Sequence, residues 1–300
     1  MHKFMSAIGF RECQTKKQFD DLIKLTLSKP DIEKEVVDGM NRRIFQAKRY
    51  YANGIGISVM GEIDSFGFRN VSFAFPYLEG NSVTVEDEIQ MQKFAEKDAF
   101  AGISEDYNIG VSLIFYLINI ADYVEERKKG YYCNHNKVKL SALSTEGKIL
   151  FGIERNEMQA KQERDGQHNR NHLIQQAKNG DMEAIESLTL DDIDLYTLVS
   201  RRAQTEDIYS IVDTTFMPFG VESDQYSIIG NIINVQMAEN TVSRERIYIL
   251  DIVSNDINML VAINEKDLEG TPRIGYRFKG NIWMQGQLLM MHEQDDEAEE

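Results

Sequence analysis

Four strand-like stretches near the C-terminal end decide the fold, and the first of them is Tyr226-Ser-Ile-Ile-Gly-Asn-Ile-Ile-Asn-Val235. The other three are Arg246-Ile-Tyr-Ile-Leu-Asp-Ile-Val253, Asn258-Met-Leu-Val-Ala-Ile263 and Gly275-Tyr-Arg-Phe-Lys-Gly-Asn-Ile-Trp-Met-Gln-Gly286. Glycines stand inside the first and last stretches, where a residue without a Cβ permits the sharp bends of a small barrel. The pattern predicts an OB-like β-barrel over residues 207–292 that folds on its own. The barrel predicts no activity, because such folds carry many unrelated functions.

An α+β domain on a mostly antiparallel sheet is predicted over residues 1–154. Thr15-Lys-Lys-Gln18 is a capping-box pattern before an amphipathic helix that ends at Pro30. Asn53-Gly54 predicts a hairpin, because this dipeptide accepts the positive φ of a type I′ turn. A short helix is predicted at Ile120–Lys128. The predicted strands are Ile44–Tyr51, Ile55–Glu62, Val71–Tyr77, Ile89–Phe100, Ile109–Asn119, Val138–Leu143 and Lys148–Ile153, the last two joined by a turn at Thr145-Glu146-Gly147.

A helical connector is predicted over residues 155–206, between the two domains. The polar stretch Asn156–Arg170 marks the domain boundary. Three helices are predicted after it: His172–Lys178, a helix capped by Asp181, and a helix capped by Thr189. Residues 293–300 contain six acidic residues in eight and are predicted to be a disordered tail.

Length and charge restrict the possible functions. The chain has 300 residues and a formal net charge of −16, and two domains of modest size are expected. The charge argues against general binding of nucleic acids or anionic membranes, because both depend on a positive protein surface. Cys13 and Cys133 are too few for a disulfide framework, and Met1–Phe10 lacks the long apolar core of a secretory signal. We therefore expect a soluble cytoplasmic protein.

The sequence predicts no metal site, no cofactor and no enzymatic signature. His168 and His172 are four residues apart, as on one helix face, but neither a third ligand nor a catalytic glutamate accompanies them. Asp191 and Asp192 are interpreted as a helix start, where negative charge meets the helix dipole favourably. A serine nucleophile would need a Gly-x-Ser-x-Gly elbow, which the sequence lacks. A non-enzymatic role is therefore favoured, and an enzymatic one stays open.

The last strand carries the candidate binding residues. Side chains alternate along a strand, so Arg277, Lys279, Trp283 and Gln285 share one face. Trp283 is the only tryptophan of the chain, and a cationic and aromatic surface suits recognition of a peptide or of another subunit. Alternatively, Trp283 covers a seam against the first domain or the connector, because large isolated aromatic residues are usually buried. In both cases this face is expected to be occupied.

Short strings spread over nearly the whole chain carry a family resemblance. They are Met1-His-Lys-Phe-Met-Ser-Ala-Ile-Gly-Phe10, Gly54-Ile-Gly-Ile57, Phe75-Pro-Tyr77, Gly110-Val-Ser-Leu-Ile-Phe-Tyr-Leu117, Leu140-Ser-Ala-Leu-Ser144, Glu186-Ser-Leu-Thr-Leu-Asp-Asp-Ile-Asp194, Ser200-Arg-Arg202, Phe216-Met-Pro-Phe-Gly220, Asp224-Gln-Tyr226 and Arg277-Phe-Lys-Gly280. On these strings the chain resembles an uncharacterised clostridial (Lachnospiraceae-type) protein family catalogued as a domain of unknown function. The resemblance implies a stand-alone bacterial cytosolic protein and assigns it no reaction, cofactor or catalytic residue.

Three function classes follow from these observations. The leading hypothesis is a non-enzymatic binding or adaptor protein that acts through the barrel and the inter-domain surface, with an unknown protein or peptide as partner. The second is an enzyme with its site in the inter-domain cleft, which a deep pocket with carboxylates of raised pKa would favour. The third, single-stranded nucleic-acid binding by the barrel, needs a basic groove with stacking aromatic residues.

Overall fold

A computed structural model shows an α+β chain and describes residues 2–289, except for positions 88, 95–98, 107–110, 130–135, 154–172, 174–175, 178–179, 203, 205–206 and 222. Its α-helices are α1 (Lys16–Ser28), α2 (Ile120–Lys128), α3 (Met182–Arg202) and α4 (Ile208–Ile211). Short 3-10 helices lie at Lys3–Ile8 and Glu265–Asp267. The predicted helix His172–Lys178 and the boundary stretch Asn156–Arg170 fall largely outside these described residues, and the acidic tail and His168 lie outside them.

The strands build two sheets. They are β1 (Ile32–Val37), β2 (Arg43–Ala52), β3 (Ile55–Ile63), β4 (Arg69–Leu78), β5 (Val85–Asp87), β6 (Gln90–Lys93), β7 (Phe100–Asp106), β8 (Val111–Leu117), β9 (Asn136–Leu150), β10 (Thr215–Pro218), β11 (Gln225–Glu239), β12 (Arg246–Ser254), β13 (Ile257–Asn264), β14 (Leu268–Glu269) and β15 (Arg277–Leu289). The first sheet is antiparallel, in the order β1-β2-β3-β4. The second has the order β10-β11-β12-β13-β9-β15-β8-β7-β6, and β5 and β14 pair with β9.

Local signals at the N-terminal end are confirmed. The Thr15 hydroxyl accepts from the backbone N–H of Gln18, and the Gln18 side chain accepts from the backbone N–H of Thr15, which is a complete capping box at the start of α1. The hairpin between β2 and β3 also forms. Its turn is not type I′, because Gly54 has a positive φ of 67° but Asn53 does not, and a type I′ turn needs it at both positions.

The second sheet closes into a five-stranded barrel, because β11 pairs with both β12 and β15. Around the barrel the order is β11-β12-β13-β9-β15. Strands β13 and β9 run parallel, and all other neighbours run antiparallel. This is the strand order of an OB-fold whose fifth strand has moved to the front of the chain. The predicted α+β class with an OB-like barrel is confirmed, in a circularly permuted form.

The barrel takes β9 from the segment 1–154 that the sequence assigns to the first domain. Residues 207–292 therefore supply four of the five barrel strands, which corrects the expectation that this segment closes a barrel by itself. Without β9, the facing edges of β13 and β15 would lack hydrogen-bond partners. How the chain divides into units that fold independently, at the boundaries 154, 206 and 292, stays a prediction.

Strand β9 runs unbroken through Thr145-Glu146-Gly147, where a hairpin turn was predicted. Relative to β15, β9 gains one residue at this point, which makes a β-bulge. The Ser144 hydroxyl donates to the carbonyl oxygen of Glu146 at 2.7 Å and supports the bulge. Gly147 is needed for a close approach, because an added Cβ would lie 2.4 Å from the Phe278 ring. Residues that resemble a hairpin turn in the sequence therefore form a β-bulge within one strand.

Two other predictions are wrong, one about a strand and one about a helix start. Ile89–Phe100 is not one strand, because β6 ends at Lys93 and β7 begins at Phe100, and the two pair as a hairpin. Thr189 does not begin a helix, because its hydroxyl donates to the carbonyl oxygen of Ile185 at 2.8 Å inside the continuous helix α3. Asp191 and Asp192 therefore lie in the middle of α3, away from the positive end of its dipole.

The first residues of the chain cover one end of the barrel. The Asn240 side-chain amide donates to the carbonyl oxygen of Ile8 at 2.8 Å, and the Ser243 hydroxyl donates to that of Gly9 at 2.5 Å. The Asn264 amide donates to the carbonyl oxygen of Ser6 at 3.2 Å. The loop between β11 and β12 corresponds to the first loop of an OB-fold, which borders the usual ligand face. In this chain that loop is held by the N-terminal segment.

Candidate functional site

The structure places the four candidate residues on one strand but in three different surroundings. Trp283 is 4% exposed, and its ring lies against Phe4 and Tyr116, with centroid distances of 5.4 and 5.0 Å. Its indole N–H donates to the Asp224 carboxylate at 2.8 Å. Trp283 therefore fills a seam between the N-terminal helix, β8 and β15, as the second of the two sequence interpretations expected.

Gln285 lies next to that seam and joins the two sheets. Its side chain is buried, its amide nitrogen donates to the carbonyl oxygen of Pro76 at 2.9 Å, and its oxygen accepts from the backbone N–H of Leu78 at 3.1 Å. Because β4 belongs to the first sheet, Gln285 supplies the barrel with a hydrogen-bonded contact to that sheet.

Arg277, at the other end of β15, fastens three chain segments together. Its guanidinium is buried and donates to the carbonyl oxygens of Phe151 at 3.0 Å, Val212 at 2.7 Å and Tyr209 at 2.6 Å. Hydrogen bonds from a charged donor to carbonyl groups are stronger than neutral ones. Arg277 therefore holds α4 and the end of β9 against the barrel, and these segments form the walls of a cavity.

This cavity, which we call the Arg277 cleft, has a volume of about 730 Å³. Residues from the end of β9 and from the segment around α4 line it, together with two residues of β15: Lys148, Ile149, Leu150, Phe151, Gly152, Ile153, Asp207, Tyr209, Arg277 and Lys279. The volume is within the range of small-ligand sites. Two of the four sequence candidates, Arg277 and Lys279, thus meet in one cleft, and the other two lie elsewhere.

The electrostatics of the cleft are unusual for this chain. Lys148 on β9 and Lys279 on β15 are directly opposed in the sheet, an arrangement of like charges that destabilises a sheet. Lys279 is half-buried and lies over the Tyr209 ring, 4.5 Å from its centroid, while its ammonium donates to the Tyr209 hydroxyl. Lys148 pairs with Glu269 at 3.0 Å on the exposed side. Among the described residues that line the cleft, Asp207 is the single carboxylate, and this part of the lining is positive on an acidic protein.

Sequence reasoning missed Lys148 and Phe151. Phe151 is 78% exposed at the edge of the cleft and contacts Tyr276 edge-on, with ring centroids 5.5 Å apart. Both residues belong to a stretch that was predicted as one arm of a hairpin. Only the pairing of β9 with β15 brings Lys148 opposite Lys279. The sequence around Lys279 does not indicate which residue lies opposite it.

Several side chains outside the Arg277 cleft have shifted pKa values. Lys48 on β2 is buried, and burial lowers its pKa although Glu79 lies 4.0 Å from its ammonium. The Tyr50 hydroxyl donates to Glu79 at 2.8 Å, and burial, aided by Glu79, raises the pKa of Tyr50 to about 12. Burial also raises the pKa of Asp251 and of the Cys13 thiol. None of these residues lines the cleft.

Replacing Lys48 with methionine is expected to stabilise the protein. The folded state lowers the Lys48 pKa, so it disfavours the ammonium, and this penalty is fully present below the folded pKa and disappears as the pH approaches the unfolded value. At pH 7 the variant should gain about 1 kcal/mol, because replacing poorly paired buried charges with apolar groups is often stabilising. Urea unfolding at pH 7 and near pH 10 measures the effect, which should shrink at the higher pH.

The exposed Lys16 provides a matched control, because Lys16→Met removes a cation without changing burial. This control should leave the free energy of unfolding nearly unchanged. A loss of more than about 1 kcal/mol in Lys48→Met would contradict the prediction. It would instead show that the ammonium is needed to neutralise Glu79.

Two features are absent from the residues that the structure describes: a metal-binding cluster and a membrane-spanning helix. No group of three or more His, Cys, Asp and Glu side chains among them could hold a metal ion. Within the same part of the chain, no helix combines the length and the apolar character needed to cross a membrane. His168, His172 and Cys133 lie outside the described residues.

Comparison with known proteins identifies a family. The model of a family described as a domain of unknown function, E. rectale gene description (DUF3881), matches residues 5–286. No curated protein and no solved structure matches the chain. The match extends over both sheets and the barrel, and it includes every residue of the Arg277 cleft.

Proposed function

The chain belongs to the DUF3881 family, as the sequence resemblance indicated, and we propose that it is a non-enzymatic binding or adaptor protein that holds an acidic peptide segment of a partner in the Arg277 cleft. The proposal also places the protein in the bacterial cytosol, in line with the small number of cysteines in the chain.

One observation carries this proposal, namely the opposed pair Lys148 and Lys279. Like charges facing each other across a sheet reduce stability, so a pair kept in a cleft is more readily understood as a site for an anionic group. Carboxylates of a partner would pair with Lys279 and would compete with Glu269 for Lys148. The protein as a whole is strongly acidic. An acidic partner would therefore be attracted to the positive cleft and repelled by the rest of the protein.

The apolar parts of the cleft favour a peptide over a bare anion. Phe151 is exposed at the edge of the cleft, and Ile149 and Ile153 contribute to the lining. Exposed aromatic side chains beside cationic groups are typical anchors of protein interfaces. A segment with an apolar side chain next to carboxylates would satisfy both halves of the lining.

Nucleic-acid binding by the barrel receives less support. An OB-fold binds oligonucleotides on strands two and three and on the adjoining loops, which correspond to β12, β13 and the loop at Asn240. The N-terminal segment occupies that loop. The enzymatic alternative would need reactive groups in the cleft. The residues whose pKa values are shifted by burial, Lys48, Asp251 and Cys13, are not part of its lining.

A peptide array measures the proposed binding directly. The full-length protein should select peptides with adjacent acidic and apolar residues, and their affinity should fall with added salt. The double variant Lys148→Glu/Lys279→Glu should lose about tenfold or more in affinity, since each lost charge pair is worth on the order of 1 kcal/mol. Lys16→Glu/Lys17→Glu, on the exposed surface of α1, is the matched control and should bind as the wild type does.

The design separates the proposal from its competitors. Selection of peptides without acidic residues, or equal binding by the cleft variant and the wild type, would refute an acidic peptide in this cleft. Selection of oligonucleotides on a parallel array would support the barrel surface instead. Circular dichroism of both double variants must show the wild-type fold, so that a loss of affinity is not a loss of structure.

A further inference from the structure

A second cavity, which we call the α2 pocket, lies beside the C-terminal half of α2 and has a volume of about 610 Å³. Residues of the β1–β2 turn, of the β6–β7 hairpin and of α2 line it. The volume is within the range of small-ligand sites. Among the described residues, none lines both this pocket and the Arg277 cleft, and the two cavities are therefore separate sites.

The β1–β2 turn forms a rigid wall of the α2 pocket whose charges are already paired. The Asp38 carboxylate accepts from the backbone N–H groups of Met40 at 2.9 Å and Arg42 at 2.8 Å, which shapes the turn. The Arg42 guanidinium lies 2.7 Å from the carboxylates of Asp38 and Glu62. This wall therefore fixes the shape of the pocket and offers a ligand little net charge.

The base of the α2 pocket is apolar. Phe100 on β7 and Val124 on α2 belong to the lining and are buried. Met40 also belongs to the lining, and it is 76% exposed at the tip of the β1–β2 turn. A methionine side chain is flexible, and its sulfur makes favourable contacts with aromatic rings. The pocket thus combines a fixed apolar base with an adaptable apolar edge.

Unpaired positive charge lies at the rim of the pocket, in the last turn of α2. Arg127 and Lys128 line the pocket and are exposed. Within the part of the chain that the structure describes, neither of them forms an ion pair. Lys93 lines the pocket as well, but it has a partner of its own. The charge that is open to a ligand is therefore that of Arg127 and Lys128.

The carboxylates next to these two cations in sequence are paired with other lysines. Glu125 pairs with Lys34 and with Lys129, and Glu126 lies 2.8 Å from the Lys129 ammonium. Cations in the last turn of a helix also stabilise it, because they face the negative end of its dipole. That effect does not require an apolar cavity beside the cations. An apolar cavity with a few charged groups at its rim is the usual form of a site for a small amphipathic molecule.

We propose that the α2 pocket binds a small aromatic carboxylate, whose ring occupies the apolar base and whose carboxylate pairs with Arg127 and Lys128. A guanidinium group matches a carboxylate with two parallel hydrogen bonds and also stacks on aromatic rings, so Arg127 suits both halves of such a ligand. Met40 then covers the ring on its solvent side. An inorganic anion would leave the apolar base uncovered, and a neutral aromatic molecule would leave the two cations unpaired.

Titration of the full-length protein with cinnamate, followed by calorimetry and ligand-observed NMR, tests this proposal. Cinnamamide has the same ring and nearly the same shape but no charge, so the comparison of the two ligands isolates the ion pairs. Cinnamate should bind saturably and about tenfold more tightly than cinnamamide. Added salt should reduce this difference, because it screens the ion pairs at the exposed rim.

Two variants locate the ligand within the pocket. Arg127→Gln/Lys128→Gln should weaken cinnamate binding about tenfold and leave cinnamamide binding unchanged. Met40→Ser should weaken both ligands severalfold, because it removes apolar contact with the ring that they share. Lys16→Gln/Lys17→Gln, on the exposed surface of α1, is the matched control and should bind both ligands as the wild type does. All the exchanged side chains are exposed, so the variants should keep the fold, which circular dichroism checks.

Each other outcome overturns the proposal. The absence of saturable cinnamate binding at millimolar concentration, or equal affinities for the acid and the amide, would exclude a site of this kind. A loss of cinnamate binding in Lys148→Gln/Lys279→Gln, with normal binding by the variants of the α2 pocket, would place the ligand in the Arg277 cleft. If the Lys16→Gln/Lys17→Gln control weakened cinnamate as much as the α2 variant, the ligand would be responding only to the overall charge of the protein.

Discussion

Replacing Trp283 with alanine is expected to lower the free energy of unfolding by roughly 3–5 kcal/mol, the usual cost of removing a large buried aromatic side chain. Trp283 is 4% exposed and packs on Phe4, His2 and Tyr116. Because these rings come from the N-terminal segment and from β8, the substitution would open a cavity between segments that are distant in sequence. Urea denaturation followed by circular dichroism measures the loss.

Part of that loss comes from the hydrogen bond to Asp224. Asp224 is 7% exposed and would lose the indole donor, and losing a hydrogen bond to a buried charged group costs about 1–3 kcal/mol. Trp283→Phe keeps much of the ring packing and removes the N–H donor, so it should lose about 1–3 kcal/mol. The comparison of the two variants separates packing from hydrogen bonding.

The same variants distinguish a seam from a recognition surface. If Trp283 instead binds a partner, Trp283→Ala should leave the melting temperature almost unchanged and abolish one copurifying protein. A loss of stability below about 1 kcal/mol would contradict the burial argument. Without an effect in either assay, neither role for Trp283 would hold.

Residues 207–289 alone are expected not to unfold cooperatively, because they lack β9. Strand β9 pairs with β13 on one side and with β15 on the other, so its loss exposes two edges and one side of the barrel core. The side chains that would lose cover include Ile263 and Phe278, which are fully buried. The fragment should show no sigmoidal urea transition, whereas the full-length chain should show one.

A rearranged fragment provides the matched comparison. Leu289 at the end of β15 is directly opposite Lys137 at the start of β9, and the strands are antiparallel. An Asn-Gly turn between residues 207–289 and a following copy of 136–153 would therefore form a hairpin and restore the usual OB strand order. This rearranged fragment should unfold cooperatively. Equal cooperativity in the fragment without β9 would refute the requirement for that strand.

Local structure could be predicted where the determining residues are close in sequence. The capping box at Thr15–Gln18 and the bounds of α2 needed only neighbouring residues, because a helix satisfies its hydrogen bonds within a few positions. Prediction failed where contacts with residues distant in sequence decide the local conformation. Thr145-Glu146-Gly147 resembles a turn, yet pairing with β15 and the approach of Phe278 turn it into a bulge within one strand.

The candidate site shows the same contrast between what local sequence predicts and what distant contacts decide. Alternation along β15 was enough to place Arg277, Lys279, Trp283 and Gln285 on one face, since side chains of a strand have a period of two. Alternation does not say what covers that face. The carbonyl groups around Arg277, the rings around Trp283 and the backbone bonded to Gln285 all come from segments more than sixty positions away in sequence.

By itself, the sequence determined the α+β class, four of the five barrel strands, the acidic character and the family, because each depends on composition, on local periodicity or on short strings. Only the tertiary structure decided that β9 completes the barrel and that Lys148 faces Lys279. The physical reason is that strand pairing is non-local: backbone groups of almost any sequence can form the same ladder. The partner of a strand is therefore chosen by the packing of the whole chain.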